Sequence, residues 1–321
     1  MGTSTVLIQV TENTQAIAPA AEQAREYARR ARSESTIRCY KTDWADFSTW
    51  CADHQACPLP ASPETVASYL ATQAENHRPS TIQRRLSAIS QVHQVKGHES
   101  PTKNEVVRSV LKGIRRTLGT APAEKAPLLA ADVREMVAAL PDSLLGKRDR
   151  ALLLLGFASA MRRSELVGLD VEDLTFTTDG LIVNLRRSKT DQEGAGRKIG
   201  VPMLPTSDAC PVRALRAWLD ASGIADGPVF RPMTAAGLVL TQRLSSHSVA
   251  LVVKRSLPQG RDVGRFAAHS LRAGFVTSAA NGGASVKSIM RTTGHRSLDV
   301  LLRYIREASL FKGNALGATG L

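Results

Sequence analysis

Gly119-Thr-Ala-Pro-Ala-Glu-Lys-Ala-Pro127 divides this 321-residue chain into two stretches of different character. Two prolines among small residues, with no bulky apolar side chain, make a segment that reads as a linker. On its N-terminal side, apolar residues recur every three or four positions and no strand pattern appears. Ile37, Tyr40, Trp44, Phe47 and Trp50 line one helical face, gathering aromatics in a chain that is 4% aromatic. Core packing is the simplest reading of that stripe. Ser62-Pro63-Glu64 starts a second helix, with proline at the first helical position. A third runs over 80–96, with Ile82, Leu86, Ile89 and Val92 inward and Gly97 at its end. Arg84 and Arg85 fall on its opposite side, open to phosphates or to solvent. A fourth helix starts near Thr102 and ends at Gly119; it turns Val106, Val110, Leu111 and Ile114 inward and presents Lys112, Arg115 and Arg116 as a basic face. Residues 21–118 are thus expected to form a compact all-helical domain, preceded by a flexible arm over 1–20.

On the other side of the linker the pattern is mixed. Helices are expected over 131–140 and 144–160, then strands over 174–177, 181–185 and 198–201. The last two strands flank Lys189-Thr-Asp-Gln-Glu-Gly-Ala-Gly196, whose glycines suit a hairpin loop. Helices resume over 211–222, 245–256, 270–281, 285–293 and 297–307. The fold class is mainly α with a small antiparallel β-sheet. It comprises the helical domain at 21–118, the linker at 119–127, a mixed domain at 128–308 and a short tail at 309–321.

Hydrophobic residues make up 43% and charged residues 22%, which excludes a disordered chain. A formal net charge of +13 favours a polyanionic partner, nucleic acid ahead of an acidic membrane surface. Thr5–Val10 is too short and lacks the basic flank of a signal peptide. The longest apolar run, Ala151–Met161, is about half a membrane span. Cys39, Cys51, Cys57 and Cys210 show neither C-x-x-C pairing nor zinc-ligand spacing, as reduced thiols of a cytoplasmic protein would. With no phosphate-binding glycine loop, no tight acidic cluster and no H-x-x-x-H pair, neither cofactor nor metal is expected.

Four short blocks carry chemistry: Met161-Arg162-Arg163-Ser-Glu165-Leu166, His269-Ser-Leu-Arg272, Gly294-His295 and Leu301-Leu-Arg-Tyr304-Ile-Arg306. Two separated arginines can neutralise a phosphodiester, two histidines can hold or move protons, and a tyrosine oxygen can attack. Each block also has a plain structural reading. Arg162 and Glu165 have the spacing of a surface ion pair, and Arg163 competes with Arg162 for the role. Ser270 can be a helix N-cap with His269 as its neighbour, and Gly294 a helix C-cap. Tyr304 can be half-buried core, although Arg303 and Arg306 flank it. Lys189 is either a solvated loop cation or a proton donor to a departing sugar oxygen, a task that a guanidinium cannot perform.

Together, these blocks in this order resemble the tyrosine recombinase (phage integrase) family, with a layout like its Cre-like or plasmid- and transposon-type members. Ala-Met-Arg162-Arg-Ser-Glu165-Leu is similar to the family's first arginine block, usually G-L-R-x-x-E-L. Lys189 falls at the β-hairpin lysine, His269-x-x-Arg272 at the second block, Gly294-His295 at the third and Tyr304 at the nucleophile. His295 stands where Cre itself has tryptophan; histidine is the commoner family choice. The resemblance implies a SAM-like core-binding domain followed by a mixed α/β catalytic domain, clamping double-stranded DNA. It also implies cleavage through a 3′-phosphotyrosine without metal or ATP. Arg162, Lys189, His269, Arg272, His295 and Tyr304 would be catalytic, Glu165 supporting, and Arg84, Arg85, Lys112, Arg115 and Arg116 DNA-binding. A homotetramer on an inverted-repeat site, with Leu310, Phe311 and Leu316 of the tail docking on a neighbour, follows from the same likeness, as does a place on the nucleoid. A type IB topoisomerase uses the same chemistry without a tetramer. A non-catalytic DNA-binding regulator, reading 285–307 as a helix-turn-helix, leaves Arg162, Lys189 and the His269–Arg272 pair unexplained.

Overall fold

The computed structural model describes residues 18–121, 125–186, 196–295, 297, 298 and 301. They belong to two compact units, Met1–Ala123 and Glu124–Leu321. Lys189 and its loop, Tyr304, and the tail with Leu310, Phe311 and Leu316 lie outside the described residues.

The first unit is helical throughout its described residues. It contains α1 (Ala18–Arg30), α2 (Glu34–Asp53), α3 (Pro63–Ala74), α4 (Pro79–Val95) and α5 (Glu105–Leu118), with a 3-10 turn at Pro101–Lys103. Side-chain caps start three of them: Ser33 accepts from the Thr36 N–H (3.3 Å), Ser62 from Thr65 (3.1 Å) and Asn104 from Val106 (2.9 Å). The aromatic stripe of α2 enters the core at Phe47, whose ring meets Tyr69 of α3 edge-on at 5.0 Å. Leu70, Ile82, Ile89 and Leu111 close that core, each worth about 1.5–3 kcal/mol on full burial.

Three sequence expectations need correction here. A helix, α1, precedes the four expected ones. Its Ala-, Glu-, Gln- and Arg-rich sequence favours helix by propensity, and its stripe of Ala20, Ala24, Tyr27 and Ala28 is mostly small residues, a faint apolar signal; Tyr27 is 65% exposed. In α5, which begins at Glu105, the buried stripe is Val107, Leu111 and Ile114 at i, i+4 and i+7, and Val106, about 100° round the helix from Val107, is exposed. Arg85, expected on the solvent side of α4, is buried. Its guanidinium pairs with Asp46 and donates to the Tyr69 hydroxyl (2.8 Å) and Gln73 Oε1 (2.7 Å). An arginine so engaged holds α2, α3 and α4 together and is withdrawn from the candidate DNA contacts.

In the second unit come α6 (Ala130–Ala138), α7 (Leu144–Ser159) and α8 (Arg163–Val167). A sheet of β1 (Leu174–Phe176), β2 (Gly180–Leu185) and β3 (Arg197–Pro202) follows. Then come α9 (Pro211–Ser222), α10 (Ser246–Arg255), α11 (His269–Asn281) and α12 (Val286–Thr293). Of the helix expected over 297–307, Leu298 and Leu301 are described and helical. The sheet is antiparallel in the order β1-β2-β3. Leu181 pairs with Val201 and Val183 with Ile199, so the apolar positions of the hairpin share one buried face. The leucine run of α7 is buried all round, packed by α6, α9 and α11, as a helix apolar on every face must be. No helix among the described residues is long and apolar enough to cross a membrane.

Lys125–Leu128, assigned by sequence mostly to the linker, are docked on the second unit. Lys125 Nζ donates to the Gly264 carbonyl (2.6 Å), the Ala126 N–H to that of Arg265 (2.9 Å) and the Leu128 N–H to that of Ser270 (3.0 Å). Leu128 crosses α11 at Gly274, where a Cβ would stand 1.6 Å from the Leu128 carbonyl oxygen. This contact fixes the height of α11, and with it the residues at its N-terminus.

Candidate active site

Helix α7 ends at Ala160, a buried alanine in the left-handed region (φ 50°), a conformation costing a non-glycine residue about 1–2 kcal/mol. The turn delivers Arg162 two residues later as the N-cap of α8. Glu165 then takes both ends of the arginine: its Oε2 accepts the Arg162 backbone N–H (2.9 Å) and its Oε1 the guanidinium (2.7 Å). Glu165 is buried, so the pair is a fixed element of the fold and not a surface ion pair. Arg163 is exposed, whereas Arg162 is half-buried and held by Glu165.

Arg272, in the first turn of α11, is 2% exposed. Its Nη1 donates to the Ala160 carbonyl (2.6 Å), tying α11 to the strained turn, and its Nη2 lies 2.9 Å from His295 Nε2. His269, one helical turn before Arg272, opens α11 and is exposed. Ser270 is not the N-cap of this helix. It sits inside α11, and its hydroxyl accepts the Ala267 N–H (3.0 Å) from the preceding turn. Gly294 does cap α12, in the left-handed region (φ 67°), with its N–H on the Met290 carbonyl (2.8 Å).

These contacts set the protonation of His295. A guanidinium only donates, so Nε2 accepts and the ring proton sits on Nδ1. That nitrogen lies 2.8 Å from Thr293 Oγ1, whose own hydroxyl donates to the Ile289 carbonyl (2.8 Å). One directed chain therefore runs from Arg272 through His295 and Thr293 to the backbone of α12. Burial, then the charges of Arg272 and Arg162, then His269 and Arg197, push the His295 pKa down to about 4. At neutral pH the imidazole is uncharged.

The folded chain thus takes up this proton near pH 4, whereas the unfolded chain takes it up near 6.5. Between those values the unfolded state binds more protons, so His295 makes stability fall as pH drops from about 6.5 toward 4 and leaves it level above. Nitrogen-15 NMR should show the Nδ1–H tautomer of His295 unchanged from neutral pH down to about pH 5. A midpoint near that of a free imidazole would contradict the arrangement.

Sequence reasoning missed two members of this cluster. Thr293 carries no signal beyond its place before the glycine. Arg197 did carry one: strand alternation puts it in phase with the inward Ile199 and Val201. In the first unit, a groove of about 530 Å³ between α2, α4 and α5 is lined in part by Lys112 and Arg115, together with Arg32 and Arg108. Arg115 donates to Gln83 (2.7 Å), Arg116 is exposed, and Arg84 is paired with the buried Asp43.

The catalytic unit matches the phage integrase family over residues 127–309. The chain belongs to that family. Residues 26–100 match its N-terminal SAM-like domain, so the protein is a tyrosine recombinase in both parts. An integrase/recombinase XerD homolog of Selenomonas ruminantium is 43% identical, over 92% of this chain and 88% of that relative. The Cre recombinase of Escherichia phage P1 is 25% identical, over 87% and 85% of the two chains. Among solved structures, the XerH site-specific recombinase bound to palindromic difH substrate has a TM-score of 0.60 at 15% identity, covering 94% of this chain and 84% of its own. The Tn1549 transposon integrase in complex with transposon right end DNA reaches 0.59 at 16% identity, covering 94% and 98%. These two likenesses establish the fold of the recombinase, a mainly helical chain with a three-stranded antiparallel sheet.

Proposed function

We propose that this tyrosine recombinase cuts and rejoins DNA at a specific site through a 3′-phosphotyrosine linkage. The Tyr304 oxygen attacks the scissile phosphorus and the bond to the 5′ oxygen breaks. The phenol proton passes to His269, since a free tyrosine with a pKa of about 10 offers little phenolate at neutral pH. The departing 5′ oxygen takes a proton from Lys189. Arg162 and Arg272 bind the nonbridging oxygens as their charge grows, Glu165 holds Arg162, and His295 completes the phosphate cradle. The phosphotyrosine conserves the energy of the broken bond, so the reverse step needs no ATP, and the arginines supply the positive charge that a metal would otherwise bring. When the 5′-hydroxyl of a second duplex performs that reverse step, strands are exchanged.

The observation that carries this reading is the fixed contact of Arg272 with His295 in the field of Arg162 and His269. Exchange between two duplexes requires four copies of the chain, each on one arm of an inverted-repeat site. The palindromic substrate of XerH and the lambda integrase dimer on its core site support that geometry by analogy. Lys112 and Arg115 of the groove, with the exposed Arg116 and with Arg84, would meet the DNA backbone, where each phosphate contact steepens the salt dependence of binding. The 309–321 tail would dock on a neighbouring copy, and the enzyme would work on the cytoplasmic nucleoid.

The test is a nicked duplex carrying an inverted repeat selected for binding to this chain, incubated in EDTA and run on a denaturing gel. Wild type is expected to form a covalent protein–DNA adduct that Tyr304→Phe does not form. Occupied DNA without an adduct from the wild type would overturn the mechanism. Strand exchange between two labelled duplexes separates a recombinase from a topoisomerase.

A further inference from the structure

Arg197 opens β3 and reaches the end of a helix far away in sequence. Its Nη1 donates to the carbonyl oxygens of Thr292 (2.7 Å) and Arg291 (3.4 Å), and its Nη2 to that of Thr293 (3.3 Å). These are the last carbonyls of α12, which have no partner in a further turn, and a cation there meets the negative pole of the helix. The guanidinium also lies flat on the glycine that follows: a Cβ on Gly294 would stand 2.9 Å from Arg197 Cζ and Nε. Thr293 and Gly294 are the two residues before His295, and the Thr293 hydroxyl holds His295 Nδ1.

Helix α12 is eight residues long and packs on α11 through Val276 and Ile289. Arg197 adds a tie from its C-terminal end to β3, a strand locked in register with β2. We propose that Arg197 is a positioning residue for strand cleavage: by clamping the carbonyl end of α12 it fixes where His295 stands against Arg272. The inference rests on the recombinase reading above. It gives a physical reason for an arginine in phase with Ile199 and Val201, where an apolar residue would otherwise fit.

Its charge has a second consequence. Arg197 is partly desolvated and repelled by Arg162, which lowers its pKa against the pull of Glu165. With Arg272, Arg162 and His269 it disfavours an imidazolium at 295, which keeps the Nε2 lone pair available to Arg272. The clamp therefore holds both the place and the protonation of the histidine. Gly294 is favoured by its left-handed φ, and a Cβ there would push the guanidinium away from the helix end.

Three single variants test this: Arg197→Met, Arg197→Lys and, as a control, Lys198→Met at the adjacent exposed position. Each is measured for thermal midpoint, affinity for the repeat duplex, single-turnover adduct rate and the nitrogen-15 signature of His295. Arg197→Met should bind DNA as the wild type does and form adduct about 10- to 100-fold more slowly. Its His295 should no longer show a single Nδ1–H tautomer. Arg197→Lys should recover most of the rate, and the control should match wild type throughout. An Arg197→Met protein with an unchanged His295 signature overturns the proposal. So does a parallel fall of stability, binding and rate in both Arg197 variants, which would mark a folding role alone. The NMR readout needs no catalysis. If the wild type formed no adduct, the recombinase mechanism would fall while the clamp would still be decided by His295.

Discussion

Arg272→Lys is expected to lower the rate of covalent adduct formation by about 10²- to 10³-fold, the cost of losing one donor aimed at developing negative charge. Affinity for DNA should change little, because many phosphate contacts share that task. The loss is one of geometry, since lysine keeps the charge. The guanidinium spans two partners, the Ala160 carbonyl at 2.6 Å and His295 Nε2 at 2.9 Å, from a side chain that is 2% exposed. A lysine has three donors but on a single nitrogen, without the fork that meets these acceptors from two separate nitrogens, and an acceptor that loses its donor is left as an unpartnered polar group in a buried place. If Ala160 is dropped, the left-handed turn that presents Arg162 loses its tie to α11. If His295 is dropped, the directed chain to Thr293 loses its donor. A single-turnover cleavage assay beside a binding titration reads the split. Wild-type cleavage by the lysine variant would show that charge alone is needed there and that the fork is irrelevant.

Much of this arrangement is legible in the sequence because it is local. A stripe such as Phe47, with its neighbours at helical spacing, announces a packed helix, and the alternation of Leu181, Val183 and Leu185 announces a half-buried strand. Within the site, Arg162–Glu165 and His269–Arg272 are short-range pairs that a helix brings together on its own. What sequence does not show is where a long side chain goes once the fold has closed. Arg85 has the spacing of a solvent-facing residue, yet Asp46 and Tyr69 from two other helices draw it inward. Arg197 falls just before the strand expected over 198–201, yet it opens β3 and its side chain reaches the end of a helix about ninety-five positions later.

The net charge misleads for the same reason. It points correctly to a nucleic-acid enzyme but overstates how much of the charge faces the ligand. Arg150 caps the end of α6 through the Val137 and Leu140 carbonyls, and Arg243 caps α8 through those of Val167 and Leu169. Arg148 and Arg255 share the buried carboxylate of Asp149. Guanidiniums spent on carbonyls and carboxylates hold the scaffold together, and only the remainder can follow a phosphate backbone.

Gly274→Ala should be the most damaging change outside the reacting residues. The added methyl would have to lie 1.6 Å from the Leu128 carbonyl oxygen and 2.4 Å from its carbon, both backbone atoms that no rotamer change can move. Either α11 or the 125–128 segment must shift, which breaks the Leu128-to-Ser270 and Ala126-to-Arg265 hydrogen bonds. Overpacking of this kind costs about 1–3 kcal/mol, and two buried backbone bonds add about 1 kcal/mol each. Hydrogen exchange should locate the damage: peptides from α11 and residues 125–130 lose protection, while the helices of the first unit keep theirs, since each unit has its own core. Cleavage should fall as well, because Arg272 lies two residues before the glycine and an ångström of displacement there parts it from Ala160 and His295. Unchanged exchange in α11 would mean that Leu128 does not set the height of that helix. In that case the placing of Arg272 would have to come from the Ala160 turn alone.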